Sequence, residues 1–201
     1  MPDNTQVFWD PLLTKTDTPY EGGYFVRNDL LSTIKSLDVE LNNNFSFTFD
    51  KTYKVKDYSF SNSGKFNKGK LGLPKSIKNE YIQEEIKEIY FSNLQIVSSF
   101  NPNKSTVKGE GEYSFDNSNY FKINFNNNFK NNLFNLKLDF DFNNQLGFNL
   151  INYIKPKNTT ANLYIDIEKN KDITKINELN FKEDNNLIQI DDLKFKNKDF
   201  I

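Results

Sequence analysis

The sequence predicts a mainly β chain: an antiparallel meander that curls into an open, twisted, groove-like sheet, with a β-sandwich as the alternative packing and one amphipathic helix near residues 74–90. Three observations predict it. The run NLFNLKLDFDFNN sets Phe134, Leu136, Leu138, Phe140 and Phe142 at alternating positions, with Asn135, Lys137, Asp139 and Asp141 between them. A period of two is the strand period, since successive side chains of a strand point to opposite sides of its sheet. Shorter runs of the same kind fill the C-terminal half, and polar turn residues separate them.

Residues 1–27 hold Pro2, Pro11, Pro19, Gly22 and Gly23 among scattered aromatics and read as an extended, loop-rich lead-in. Residues 28–201 read as one β-rich domain. Asn28 is placed to cap a short helix burying Leu30, Leu31 and Ile34, before a strand through Leu37, Val39 and Leu41. Phe45, Phe47 and Phe49 share a face in NFSFTF. The phase then slips between Val55 and Tyr58, which predicts a β-bulge or a strand break, and SNSGKFNKGK has the chemistry of a turn.

After Pro74, the isoleucines Ile77, Ile82, Ile86 and Ile89 recur with Tyr81 near helical spacing among Glu and Lys, which predicts the helix. Proline suits a first helical turn. Beyond it everything reads as strand: Val107, Gly109, Gly111, Tyr113 and Phe115; Phe121, Ile123 and Phe125; Leu163, Ile165 and Ile167. A motif of polar, Leu, polar, apolar recurs as NLQI, NLKL, NLYI, ELNF and DLKF. Its starts are unevenly spaced, which excludes a fixed-period solenoid and suits a meander. Alternation still running through Leu193 and Phe195 near the last residue is the pattern of a module of a longer protein.

Composition narrows the function. With 26 basic and 27 acidic residues the net charge is −1, so no global field draws a polyanion, and nucleic acid is not an expected partner. The chain has neither cysteine nor histidine, which removes disulfides, thiolate nucleophiles, Cys/His zinc sites and histidine acid–base catalysis. No stretch approaches the ~20 apolar residues of a membrane-spanning helix, and the first thirty residues lack the layout of a signal peptide.

The remaining motifs are weak. DFDFNN starts like a calcium loop, but Asn144 stands where such a loop has glycine and Leu150 where it has a bidentate glutamate. KGEGE lacks phosphate-loop spacing, so Gly109 and Gly111 mark a bulge or a close strand approach. Three glycosylation sequons are no more than chance supplies in so Asn-rich a chain. The expectation is a non-enzymatic chain with no catalytic residue, no metal and no cofactor. A transmembrane β-barrel is disfavoured by short strands and by phenylalanines not gathered at strand ends.

The short X-Leu-X-apolar strands, the Asn/Asp-led turns and the segment ELNFKEDNNLIQIDDLKFKNKDF resemble the C-terminal β regions of AsmA-like bacterial envelope proteins of the TamB and YhdP type. The likeness is strongest over residues 88–200. It implies an apolar β-groove that shields phospholipid acyl chains for inter-membrane transport and outer-membrane assembly. It also implies a place in the periplasm or cell envelope within a longer protein anchored in the inner membrane, with cytosol as the other location open to the chain. Phe134, Leu136, Leu138, Phe140, Phe142, Leu163, Ile165 and Ile167 are the lipid-groove candidates. The alternative is a closed β-sandwich serving scaffolding or adhesion in a larger cell-surface protein.

Overall fold

The computed structural model describes residues 33–78, 82, 84–148, 151–196 and 199–200. The lead-in, residues 1–27, lies outside them. Among the described residues the chain is nearly all strand, with no α-helix: β1 (Ile34–Phe49), β2 (Val55–Ile77), β3 (Ile86–Asn101), β4 (Lys104–Ser114), β5 (Phe121–Lys130), β6 (Leu133–Phe142), β7 (Leu146–Phe148), β8 (Tyr153–Lys155), β9 (Ala161–Asn170), β10 (Ile173–Glu183), β11 (Asn186–Lys196) and β12 (Asp199–Phe200). Ten of them form one sheet in the order β1-β2-β3-β4-β5-β6-β9-β10-β11-β12, every pair antiparallel. The sheet is open, with β1 at one end of the order and β12 at the other. β7 and β8 form a separate hairpin inserted between β6 and β9.

The turns explain why the strands reverse where they do. Asn131 and Asn132, between β5 and β6, have φ of 51° and 64°. Positive φ at both central residues defines the type I′ turn, whose twist matches that of the flanking strands, and asparagine tolerates it. Between β3 and β4, Asn101 Oδ1 accepts from the backbone amides of Asn103 and Lys104 at 3.0 and 2.9 Å around Pro102. Between β1 and β2, Asp50 Oδ1 accepts from the amides of Thr52 and Lys54 at 2.7 and 3.0 Å.

Glycine sets two close approaches. A Cβ on Gly111 would lie 2.5 Å from Leu94 Cα, and one on Gly109 would lie 2.5 Å from the Phe125 ring. Opposite them, Asn93 takes φ of 51° at a register shift between Ser92 and Gln95, so β3 bulges over the glycines.

Three expectations are corrected. The helix near 74–90 is not formed in the described part of that segment: Pro74–Ile77 ends β2, Ile86–Tyr90 opens β3, and Ile77 pairs directly with Ile86. Isoleucine prefers the pleated surface, and cross-strand burial overrides a helical spacing set by lysine and glutamate. SNSGKFNKGK is no turn but the middle of β2, the longest strand, where Gly64 and Gly69 make room beside Leu41 and Leu37 of β1. Ile34 starts β1 rather than ending a helix, while residues 28–32 lie outside the described part. The slip between Val55 and Tyr58 is a β-bulge: Val55 and Asp57 pair with the consecutive residues Phe49 and Thr48, so Lys56 is the extra residue, and the Asp50–Lys54 turn precedes it.

Among the described residues the closed β-sandwich is not adopted: the second sheet is only the two-stranded β7–β8 hairpin, which packs on one end of the first. Among the described residues six hydrophobic side chains are buried: Ile86, Leu94, Tyr113, Phe142, Ala161 and Phe181. A sandwich of this many strands would bury an inner face on each sheet.

Candidate functional site

Register gathers the apolar side chains of nine strands, β1 to β6 and β9 to β11, onto one face. One row of directly paired residues passes through Leu41, Gly64, Ile96 and Gly109, and continues through Phe125, Leu138, Ile165, Leu179 and Ile190. A neighbouring row carries Ile123, Phe140, Leu163, Phe181 and Ile188. Side chains in one row stand about 4.8 Å apart, the strand spacing, so each row is a continuous apolar track across the strands.

The eight groove candidates fall on this face. Leu136 pairs with Ile167, Leu138 with Ile165, Phe140 with Leu163, and Phe142 with Ala161. Phe134 lies toward the far end, opposite Phe129 and Lys169. Phe142 is buried and the other seven are half-buried. Phe125, Phe129, Leu179, Phe181 and Ile190 share the face but were not among the candidates. Their signal was in the sequence, since YFKINF and ELNF alternate like β6.

One band of the face is polar over β1 to β5. Asn43 pairs with Asn62, Asn62 with Ser98, and Ser98 with Val107, which pairs with Asn127. Ser98 Oγ donates to Asn62 Oδ1 at 2.7 Å, which satisfies two of these groups against each other. From β6 onward the same band is apolar, running Leu136, Ile167, Ile176 and Leu193. The apolar surface is therefore widest on the C-terminal half.

Aromatic rings bridge next-nearest strands at two places. The ring of Tyr113 on β4 stands edge-on to that of Phe140 on β6 with centroids 5.9 Å apart, reaching over β5. Phe142 on β6 meets Phe181 on β10 at 6.2 Å across the small Ala161 of β9. In a flat sheet, next-nearest strands are about 9.6 Å apart.

The β7–β8 hairpin covers one end of the face. Leu146 and Tyr153 pack on the cluster of Phe142, Ala161 and Phe181, and the Tyr153 ring stands edge-on to Phe181 at 6.0 Å. Lys155 is fully buried: its Nζ donates to the carbonyls of Asn144, Pro156 and Thr159 and sits 5.1 Å from the centre of the Phe142 ring. Burial lowers its pKa, and the Glu183 carboxylate partly restores it. Glu183 accepts from the hydroxyls of Tyr153 and Thr159. Burial and this carboxylate push the Tyr153 phenol up to about 12, so it remains a donor at any ordinary pH. Glu84 accepts from Asn144 and pairs with Lys157, tying the hairpin to the β2–β3 connection. Sequence reasoning missed this hairpin, because strands of three residues show no period.

The opposite face is polar. Lys137 pairs with Asp166 at 3.0 Å, and Asn135 donates to the same carboxylate at 3.1 Å. A shallow depression of about 510 Å³ there is bordered by Glu110, Glu112, Lys122, Asp139 and Asp141. Among the described residues no three acidic, histidine or cysteine side chains are placed to hold a metal ion. No described helix is long and apolar enough to cross a membrane.

Comparison with family models, with curated proteins and with solved structures finds no match.

Proposed function

We propose that this chain is a non-enzymatic, lipid-shielding module of a longer cell-envelope protein, holding phospholipid acyl chains on its apolar face for transfer between membranes. The observation that carries the reading is the apolar face itself: rows of Phe, Leu and Ile across successive strands, covered among the described residues only at one end, by the β7–β8 hairpin. Contiguous uncovered apolar surface on a folded chain marks a place where something apolar binds.

The energetics suit acyl chains. A sixteen-carbon chain with half its surface on the face gains roughly 6 kcal/mol, at about 0.8 kcal/mol per buried methylene. The tail makes no hydrogen bond to lose, so it slides along a row with little change in contact. The rows run across the strands, so travel would be along the strand order, between β1 and β11. The hairpin over Phe142 and Phe181 blocks one flank of that path on the C-terminal half.

The first experiment is native mass spectrometry of the chain purified without detergent from a bacterial host. Co-purified phospholipid is expected, and a folded, lipid-free species would overturn the reading. Leu136→Glu is the variant of choice. Leu136 lies on the wide apolar band and outside the hairpin cluster, whereas Phe140 packs on that cluster and its loss would also weaken the fold. Leu136→Glu should retain the β circular dichroism spectrum and lose the lipid.

A further inference from the structure

We infer that the β7–β8 hairpin is a hinged lid, which swings off Phe142, Ala161 and Phe181 and opens the covered end of the apolar rows to an aliphatic chain. That the lid opens stands on its own attachments; that an aliphatic chain enters rests on the acyl-chain reading above.

Among the described residues, β7 and β8 pair with each other, and no backbone hydrogen bond joins them to the ten-stranded sheet. Beneath them β6 and β9 pair without interruption as far as Phe142 and Ala161, so the ladder stays whole when the hairpin leaves. The hairpin carries its own polar framework. The Asn158 amide donates to the Asn143 carbonyl at 2.9 Å and closes the base, where the lid would turn. The three carbonyls that hold Lys155 Nζ belong to Asn144, Pro156 and Thr159, all on the same insertion, so they travel with the lysine. Opening strands none of them. Tyr153 packs on the sheet while the next residue, Ile154, is 57% exposed, so the hairpin has one inner and one outer side.

Two carboxylates outside the insertion latch it. Glu183, at the end of β10, accepts from the hydroxyls of Tyr153 and Thr159, and Glu84, just before β3, accepts from Asn144 and pairs with Lys157. Carboxylates and hydroxyls that part into water find new partners there, so the cost of opening falls mainly on the apolar contacts of Leu146 and Tyr153. Local openings of this kind lie below global unfolding in free energy. With the lid away, Phe181, fully buried when it is shut, completes an uncovered row from Ile123 through Phe140 and Leu163 to Ile188.

The chain has no native cysteine, so one engineered thiol reports the opening. Ala161→Cys sets it beneath the lid, where the native side chain is 1% exposed, and Ser98→Cys sets it on β3 outside the hairpin cluster, at a site 4% exposed. In the full chain a dithionitrobenzoate reagent should label Ala161→Cys roughly a hundredfold faster than Ser98→Cys. The Ala161→Cys rate should stay flat in dilute urea, because a local opening exposes little surface, while the Ser98→Cys rate climbs. Phe181→Cys, which empties the site rather than crowding it, should behave as Ala161→Cys does. Tyr153→Phe keeps the ring, removes one hydroxyl from Glu183, and should raise the Ala161→Cys rate roughly tenfold. Palmitate below its micellar concentration should slow that labelling by covering the thiol in the opened row. Equal rates at positions 161, 181 and 98 with the same steep urea dependence would mean that the hairpin leaves only as the whole sheet unfolds, and would overturn the inference. Fast, urea-independent labelling that palmitate leaves unchanged would overturn the aliphatic occupant and keep the lid.

Discussion

The phenol of Tyr113 on β4 donates a 2.7 Å hydrogen bond to the main-chain carbonyl of Asp141 on β6, crossing the N-terminal end of β5. The side chain is buried, and burial holds its pKa well above the ordinary tyrosine value, so it stays a donor even in alkali. One side chain thus ties β4 directly to β6. Tyr113→Phe keeps the ring contacts to Phe140 and Phe121 and leaves the carbonyl without this donor. It should cost about 1 kcal/mol in urea unfolding, against about 4 kcal/mol for Tyr113→Ala.

Gly109 and Gly111 separate two kinds of crowding. At Gly111 an added methyl meets Leu94 Cα at 2.5 Å and Asn93 O at 2.8 Å, both backbone atoms that move only if β3 moves. At Gly109 it meets the outer edge of the Phe125 ring, which swings on its side-chain torsions. Gly111→Ala is therefore expected to lower stability by roughly 3 kcal/mol and Gly109→Ala by about 1 kcal/mol. Equal losses in thermal melts would contradict the placement of the β3 bulge.

Lys155 is the only cation among the fully buried side chains of the described residues, and three carbonyls converge on it. Lys155→Met fills the space and strands those carbonyls. It should cost about 2 to 3 kcal/mol and raise amide exchange in the β7–β8 hairpin ahead of the main sheet. Uniform exchange across the chain would mean that the hairpin is not a separate locking unit.

Acid should release the same hairpin. At Glu183 burial works to raise the pKa, but the hydroxyls of Thr159 and Tyr153 and the charge of Lys155 outweigh it, so the net value is below that of an ordinary glutamate. A carboxylate whose folded pKa is depressed contributes stability in full above its unfolded value, about 4.3, and loses it as pH falls through the folded value. Hairpin amides should therefore begin to exchange faster below about pH 4. Glu183→Gln should flatten that dependence.

The strands on which the candidate face rests were legible because they alternate strictly. Phe134–Phe142 and Leu163–Ile167 each place one oily and one wet side, and strand pairing uses that alternation directly. The 74–90 segment misled because isoleucines spaced by lysine and glutamate satisfy a helical period locally, while the pairing of Ile77 with Ile86 depends on a partner nine residues away. The middle of β2 misled for a different reason: Gly64 and Gly69 there make space for the neighbouring strands and do not reverse the chain. Openness was not decided by the pattern, since one oily face looks the same whether sealed in a sandwich or left bare. The hairpin over Phe181 was invisible, because a buried lysine in a three-residue strand has no signature in sequence.

In the meander, each strand of the sheet meets its neighbours in the chain, except that β6 reaches β9 around the inserted hairpin. Such a sheet has no crossover to rethread, so a whole hairpin can be gained or lost by duplication or deletion while the pairing of the rest is kept. Its span is then set by hairpin number rather than by redesign of a core, and the length of the apolar rows scales with it.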